Sequence, residues 1–380
     1  MSQPIRVLHI FGRMNRGGAE TFIMHVYRHI DRQKVQFDFA VHSPLPGHYD
    51  DEIRQLGGRI FILPRPRLRG IVTYEQALKR ILQIEGPFAV VHSHVHFFSG
   101  IPLAVAAQAG IPCRIAHSHN THDGRGNSLF RQFYRWYMRR LIDRHTTHML
   151  GCSCPACEAL YGSGCWQDQR VRVVHYGIDL TPFESLPPDR RALRRKFGFP
   201  EDAPLIGHVG RFDVQKNHRF LIEVFEALLS PLPAARLILV GDGPLKPEIE
   251  ELVAAKGIQD RVLFMGVRPD VPEILGCLDA FLFPSLWEGL GIVLIEAQAA
   301  GVPCVVSNVI SEEANLGIGL LHPVSLNASL DQWVEQVLRA LRSNRPDWEV
   351  RKNALQRNGY DVREAVAWLE ECYVNCSKCQ

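Results

Sequence analysis

Short apolar runs alternate with amphipathic stretches along most of this 380-residue chain, and that alternation limits the possible folds more than any other feature. RVLHIFG (6–12) is an apolar run, and Phe22, Ile23, Val26, Tyr27 and Ile30 after it fall on one helical face, as a helix covering a sheet requires. The pattern recurs in PLIGHVGRF with a helix from about Asn217, in ARLILVGDGP with one from about Lys246, and then in VLFMGV, PEILGCL, AFLFPS, EGLGIVLIEAQAAGVPCV (288–305) and PCVVSN. Strand, helix and strand at this spacing predict parallel sheets joined by right-handed crossovers. Prolines and charges interrupt the alternation in GIDLTPFESLPPDRRALRRKFGFP (177–200), which reads as a hinge. The expected fold is therefore α/β, with two doubly wound Rossmann-like domains over residues 1–180 and 181–361 and a helical segment over 362–380.

Hydrophobic residues make up 46% of the chain and charged residues 22%, the balance of a globular protein. No apolar run approaches the ~18 residues of a membrane span, and Met1 to Gly12 lacks the pattern of a signal peptide, so a soluble, cytoplasmic protein is expected. A net charge of +3 does not call for nucleic acid, and no basic groove is legible. The basic residues do concentrate in LFRQFYRWYMRRLIDRH (129–145), where Arg131, Arg135, Arg139, Arg140 and Arg144 interleave with Phe130, Phe133, Tyr134, Trp136 and Tyr137. Such a helix either rests on an anionic membrane or packs on its own domain with a solvated arginine face.

In doubly wound sheets ligands bind at the carboxyl ends of the strands, so the loops there carry the chemistry. In RMNRGGAE, Gly17 and Gly18 remove side chains just before a helix start, where backbone N–H groups can approach an anion or a sugar; a plain tight turn explains the pair equally. The stretch is not GxGxxG, which weakens a dinucleotide reading. In GRFDVQKNH, Arg211 and Lys216 emerge at the end of a buried strand, where unpaired cations are costly unless an anion such as a diphosphate meets them. Taken alone the pair reads equally as solvated surface charge. GDGP, with Gly241, is side-chain-poor at another strand end, and Gly266 and Val267 end a third strand; these are candidates for the nucleoside side.

In FPSLWEGLGIVLIEAQAAG a helix is expected to start at about Gly291, aiming the N–H groups of Leu290, Gly291 and Ile292 at a phosphate. Glu288 stands beside that anion site and needs neutral donors such as sugar hydroxyls, while Glu296, further along the helix, can accept from the two hydroxyls of a ribose. Each glutamate alone reads as a structural ion pair. Two carboxylates, a Gly-rich turn and a helix start together point to a site.

GGAE, HSHN (117–120), GRFDVQKN, GDGP and the Glu-x7-Glu stretch, in this order, resemble glycosyltransferase family 4, and NRGGAETFIM with CRIAHSHNT is similar to its bacterial exopolysaccharide and capsule branch. The resemblance covers nearly the whole chain. It implies a GT-B enzyme, with two Rossmann-like domains facing a central cleft, that moves a sugar from a nucleotide diphosphate, UDP being favoured, to a glycan or lipid-linked acceptor. Anomeric configuration would be retained without a metal. Arg211 and Lys216 would hold the diphosphate, Glu288 the transferred sugar, Glu296 the ribose, and Gly17 and Gly18 would admit the sugar phosphate. His117, with His119 as second candidate, would face the sugar, and Asn120 beside them the acceptor or sugar side. The final helix, from about Val362, would cross back onto the first domain. The alternatives are a same-fold transferase acting on a small molecule or protein, or a non-catalytic nucleotide-sugar-binding module.

The absence of any Asp-x-Asp agrees with a metal-free reaction, because cations and helix dipoles can neutralise a leaving diphosphate. The 17 histidines cluster in VVHSHVH (90–96) and IAHSHNTH (115–122); clustered histidines can bind metal, but histidines at alternating strand positions are expected on opposite faces, so hydrogen bonding is expected instead. Among ten cysteines, Cys152, Cys154, Cys157 and Cys165 have the makings of a four-thiolate site, and Cys372, Cys376 and Cys379 have an iron–sulfur-like spacing. Neither group forms two CxxC pairs, and reduced thiols without metal are the expectation.

Overall fold

Each apolar run forms a strand because its β-branched and aromatic residues pack on both faces of a sheet covered by helices. The computed structural model describes residues 3–65, 70–187 and 189–377. Its strands are β1 (Ile5–Phe11), β2 (Val35–Val41), β3 (Ile60–Ile62), β4 (Val90–Ser93), β5 (Cys113–Ser118), β6 (His148–Gly151), β7 (Val171–Val173), β8 (Leu205–Val209), β9 (Arg236–Val240), β10 (Val262–Gly266), β11 (Ala280–Phe283), β12 (Cys304–Ser307) and β13 (Leu321–Val324). They form two sheets, ordered β3-β2-β1-β4-β5-β6-β7 and β10-β9-β8-β11-β12-β13, and every ladder is parallel.

The chain divides into two compact units, residues 1–177 with 362–380, and residues 178–361. In the first unit the C-terminal helix Val362–Ser377 packs against the first helix, Gly18–His29, and against β1, β2, β4 and β5. Its core runs from Leu8 and Ile10 through Leu78, Val91 and Leu103 to Ala116. Asp38 sits in the fully buried strand β2 at no cost to pairing, because Arg6 donates to it at 2.8 and 2.6 Å and Arg59 at 2.8 Å. Burial pushes that carboxyl up, and the Arg59 and Arg6 hydrogen bonds outweigh burial and hold it below its usual range.

The second unit's core joins Ile206, Leu221, Phe225, Leu237, Leu282 and Trp333, whose indole donates to Ser325 O at 3.1 Å. Each sheet reverses its strand order once, beside β1/β4 and beside β8/β11. Loops leaving two neighbouring strands diverge at such a reversal and open a crevice, so these are the places to look for ligands.

Candidate functional site

The second unit's crevice is built by stitching the loop after β8 to the loop after β11. Gln215 donates from Nε2 to Trp287 O (2.9 Å), Leu286 N–H donates to Gln215 O (2.8 Å), and Asn217, at φ 54°, donates from Nδ2 to Pro284 O (3.2 Å). Asp213 caps the short 3-10 turn Val214–Lys216. This frame delivers the Lys216 ammonium to the Glu288 carboxylate at 2.5 Å, with side-chain exposures of only 15% and 7%, and sets it 4.6 Å from the centre of the Phe283 ring. Lys216 is thus already paired, and removing either partner strands a nearly dry charge.

Arg211 does not join them. Its side chain is 70% exposed and its nearest acidic partner is Asp213 at 3.8 Å, so the costly buried cation that the sequence argues for is absent at this position; guanidinium solvation carries its charge.

Beyond Glu288 the chain turns at Gly291, whose φ of 81° requires glycine, and enters the helix Ile292–Ala299 with no side-chain cap. First-turn N–H groups have no intrahelical acceptors, so Gly291 and Ile292 present an open positive helix end among residues Leu290 to Ile292 that are themselves buried. Glu296 lies one turn into that helix. Among the described residues it has no side-chain hydrogen bond or ion pair, and desolvation raises its carboxyl to about 7. Among the described residues no hydrogen bond or ion pair joins it to Lys216 or Glu288.

Backbone approach explains the nearby glycines. A Cβ on Gly241 (φ 138°) would stand 2.0 Å from Gly210 O, and one on Gly243 2.5 Å from Phe212 O, so GDGP packs directly against GRF; Gly241 N–H in turn donates to Gly266 O at 2.8 Å. Val267 follows Gly266 at the end of β10.

Two polar residues here escape the sequence reading. His208, inside β8, donates from Nδ1–H to Leu282 O (2.9 Å), while its Nε2 has no partner among the described residues and lies where a Cβ on Gly210 would meet it at 2.8 Å. Burial lowers it to about 3, so it is neutral. Ser285 Oγ is also buried and has no partner among the described residues. A histidine interrupting the otherwise apolar run PLIGHVGRF is the signal that identifies the first; for Ser285 the sequence offers none.

In the first unit the histidines gather instead of diverging. Residues two apart on a strand share a face, so the expectation of opposite faces is wrong: the rings of His92 and His94 stand 4.2 Å apart, as do those of His117 and His119. Two hydrogen-bonded chains result. One runs from His9 Nδ1 to His94 Nε2 (3.0 Å), from His94 Nδ1 to His119 Nε2 (2.7 Å), and from His119 Nδ1 to the Tyr176 hydroxyl (2.5 Å). The other runs from the Tyr373 hydroxyl to His92 Nδ1 (2.8 Å) and from His92 Nε2 to His117 Nδ1 (3.2 Å), leaving His117 Nε2 buried without a partner among the described residues.

Burial lowers all five imidazoles, His9 and His117 to about 3, so they are neutral hydrogen-bonding groups. If Tyr373 donates to His92, each ring in the second chain passes its one proton onward, and His117 Nε2–H becomes a donor. Asn120 follows, its Oδ1 accepting from Thr121 N–H at 2.9 Å.

Gly17 caps the helix Gly18–His29 without a side chain, and a Cβ there would meet the Glu20 carboxylate at 2.4 Å; a flexible acid therefore shares this helix start with any anion. A separate cavity lined by Asp189, Arg190, Arg194 and Asp279 lies at the amino end of β11, where Arg190 and Arg194 pair with Asp279 at 2.6 Å each, and is a structural ion cluster.

The helix Leu129–His145 uses most of its arginines inward. Arg131 and Arg135 converge on Asp123 (2.7 and 2.8 Å), Arg139 donates to Leu160 O and Ala159 O (3.0 and 2.9 Å), and Arg140 lies over Trp136. Its exposed surface carries a large apolar share, Leu129 (84%), Phe130 (63%), Phe133 (62%), Trp136 (51%) and Tyr137 (45%), beside the exposed Arg140 and Arg144. No described helix is long and apolar enough to cross a membrane.

Residues 189–356 match the family of glycosyl transferases group 1, and residues 17–177 match the glycosyl transferase 4-like domain. The chain is 38% identical over 375 residues to the putative glycosyltransferase EpsF of Bacillus subtilis (strain 168), covering 98% of this chain and 97% of that protein. It is 24% identical over 350 residues to an Escherichia coli UDP-Gal:alpha-D-GlcNAc-diphosphoundecaprenol alpha-1,3-galactosyltransferase, with 88% and 87% covered. Among solved structures, Anabaena HepE in complex with UDP-glucose is similar with a TM-score of 0.77 at 18% identity, over 98% of this chain and all of that one, a likeness of fold.

Proposed function

Because the chain belongs to glycosyltransferase family 4, with the GT-B fold, we propose that it transfers a sugar from a nucleotide diphosphate sugar, UDP-linked by preference, to a glycan or lipid-linked acceptor in surface polysaccharide biosynthesis. The transfer would retain anomeric configuration and need no metal in the chemical step. The observation that carries the reading is the Lys216–Glu288 pair at the β8/β11 reversal, beside an uncapped helix start. A donor diphosphate would take Lys216 from Glu288 and be held by Lys216 and the N–H groups of Leu290, Gly291 and Ile292, with exposed Arg211 swinging in as a mobile clamp. Glu288, released, would accept from hydroxyls of the transferred sugar.

His117 Nε2–H, oriented through His92 by Tyr373, would donate to the sugar, with His119 and Asn120 on the acceptor side and Gly17 and Gly18 admitting the sugar phosphate. The bond from acceptor oxygen to the anomeric carbon would form on the face the diphosphate leaves, and the acceptor proton would pass to the departing phosphate oxygen. UDP is favoured by what the similar proteins carry in their names: HepE was solved with UDP-glucose, and the Escherichia coli relative uses UDP-Gal.

Thermal stabilisation by UDP, GDP and ADP, followed by turnover of the sugar nucleotide of the best binder and determination of the product anomer, tests this. The expected result is the largest shift with UDP, a product of unchanged configuration, and no gain on adding Mg²⁺ or Mn²⁺. Lack of binding by any nucleoside diphosphate sinks the reading, and binding without transfer leaves a non-catalytic module.

Glu296 supplies a pH prediction. Its carboxyl, raised from 4.5 to about 7 in the folded chain, stabilises the fold fully below 4.5 and loses that contribution as pH rises through 7. A ribose held through its two hydroxyls needs the ionised form, together with Gly241, Gly266 and Val267 on the nucleoside side. Affinity for UDP-glucose, whose diphosphate does not titrate here, is therefore expected to fall by up to about tenfold per pH unit below 7, with proton release on binding. Calorimetry between pH 6 and 8 in two buffers checks it. The slope should vanish in Glu296→Gln, and a flat wild-type profile removes Glu296 from the ribose.

A lipid-linked acceptor would place the enzyme at the cytoplasmic face of the plasma membrane, and the exposed aromatic strip of Leu129–His145 fits an interfacial role. Since Arg131, Arg135 and Arg139 are engaged internally, apolar insertion should dominate over charge. Flotation with liposomes is expected for the wild type and lost in Phe133→Ser/Trp136→Ser; equal flotation of both would discard this surface.

A further inference from the structure

Away from the crevice loops, at the amino ends of β5 and β6, four soft ligands from three separate elements meet. Cys113 opens β5, His148 opens β6, and Cys372 and Cys376 stand one turn apart on the C-terminal helix, so an i,i+4 pair faces the sheet. His148 Nδ1 lies 3.9 Å from Cys113 Sγ and 4.0 Å from Cys376 Sγ, and the ligand atoms of Cys113, His148 and Cys376 all fall within 4.8 Å of one another. The Cys372 thiol neighbours the same three groups, although it falls outside the set whose ligand atoms all lie within 4.8 Å of one another.

Thiolate and imidazole bonds of about 2.3 and 2.0–2.1 Å to a tetrahedral centre give edges of roughly 3.6–3.8 Å, close to those observed. His148 Nδ1 also shares a 3.0 Å hydrogen bond with the Thr147 hydroxyl, which a metal would displace; that hydroxyl would keep Arg114 N–H (2.9 Å) and Arg114 O (3.1 Å) as partners. Cys113, Cys372 and Cys376 are all free thiols, and Cys113 and Cys372 are buried. Cys379 lies outside the described residues.

We propose that Cys113, His148, Cys372 and Cys376 form a closed Cys₃His site for zinc that fastens the C-terminal helix to the sheet of the first unit. Four protein ligands leave no open position for substrate, and the place is the opposite end of the strands from the crevice loops, so the metal would be structural and independent of the transfer chemistry. Binding would release the three thiol protons and couple metal affinity to docking of the helix. The groups that would have competed for this role, Cys152, Cys154, Cys157 and Cys165, are not among those whose ligand atoms converge; Cys154 is exposed and the other three are buried.

The test is metal analysis of the full chain purified reduced and without chelator. About one zinc per chain is expected in the wild type and in Cys154→Ser, and none in Cys113→Ser/Cys376→Ser or His148→Ala. Should those variants fail to fold, the wild type alone decides: demetallated protein titrated with Co²⁺ should develop tetrahedral d–d bands and thiolate-to-cobalt charge transfer, and zinc should restore the thermal stability lost on chelation. A wild type that carries no stoichiometric metal and gives no cobalt bands overturns the proposal. So does a disulfide among Cys113, Cys372 and Cys376, or zinc retained by the double cysteine variant.

Discussion

Glu288→Gln should lower kcat for sugar transfer by roughly 10²–10³-fold while the chain still folds, with some loss of stability because Lys216 keeps an oxygen partner but loses its counter-charge. The substitution keeps the volume of a side chain that is only 7% exposed and keeps one oxygen for Lys216, so packing survives; what disappears is the charge that, in the proposed function, would accept in pairs from sugar hydroxyls. Donor affinity, measured with UDP, should change far less than turnover, since in the proposed function the diphosphate would rest on Lys216 and the helix start. The isostere is the informative variant. Lys216→Ala would strand the Glu288 charge and cost about 3–5 kcal/mol in stability, mixing folding with chemistry. Near-normal turnover in folded Glu288→Gln would remove that carboxylate from the reaction.

Gly241→Ala is expected to destabilise the second unit by at least about 3 kcal/mol, a fall in Tm of roughly 6–12 °C. Two independent costs add. The backbone sits at φ 138°, which L side chains rarely adopt, and the new methyl would stand 2.0 Å from the Gly210 carbonyl oxygen, which cannot move without dragging the loop that carries Lys216. Donor binding should weaken together with stability, because GDGP and GRF support each other. Thermal unfolding and UDP affinity of the variant check this, and a Tm within a degree or two of wild type would show that the loops separate without penalty.

Much of the molecule was legible in the chain because parallel sheets hide both faces, so their strands read as unbroken apolar runs. The Gly-rich turn before Ile292–Ala299 and the glutamates eight apart were also readable, because helix starts and carboxylates advertise themselves locally. That Arg211 stands exposed and not buried was not readable, since whether a strand-end side chain turns outward depends on neighbours that a one-dimensional pattern does not contain. The arginines of 129–145 looked like a charged stripe until Asp123 and the carbonyls of Ala159 and Leu160 were found to occupy three of them.

The histidines were misjudged for a different reason. Alternation along one strand had been taken to separate them, whereas a period of two aligns them, and β4 and β5 then bring the two pairs side by side. Cysteine spacing could not reveal the meeting of Cys113, His148 and Cys376 either, because the two cysteines lie 35 and 228 residues from His148.

By itself, then, the sequence determined where strands and helices form, that they pair in parallel, and which loops carry glycines, cations and carboxylates, because all of these follow from local periodicity and local chemistry. Only the tertiary structure decided which of those groups meet: Lys216 with Glu288, His92 with His117 and Tyr373, Cys113 with Cys376. Pairing across tens or hundreds of residues is fixed by strand order and helix docking, which create a low-dielectric setting where a contact of a few ångströms outweighs anything a neighbour in sequence supplies.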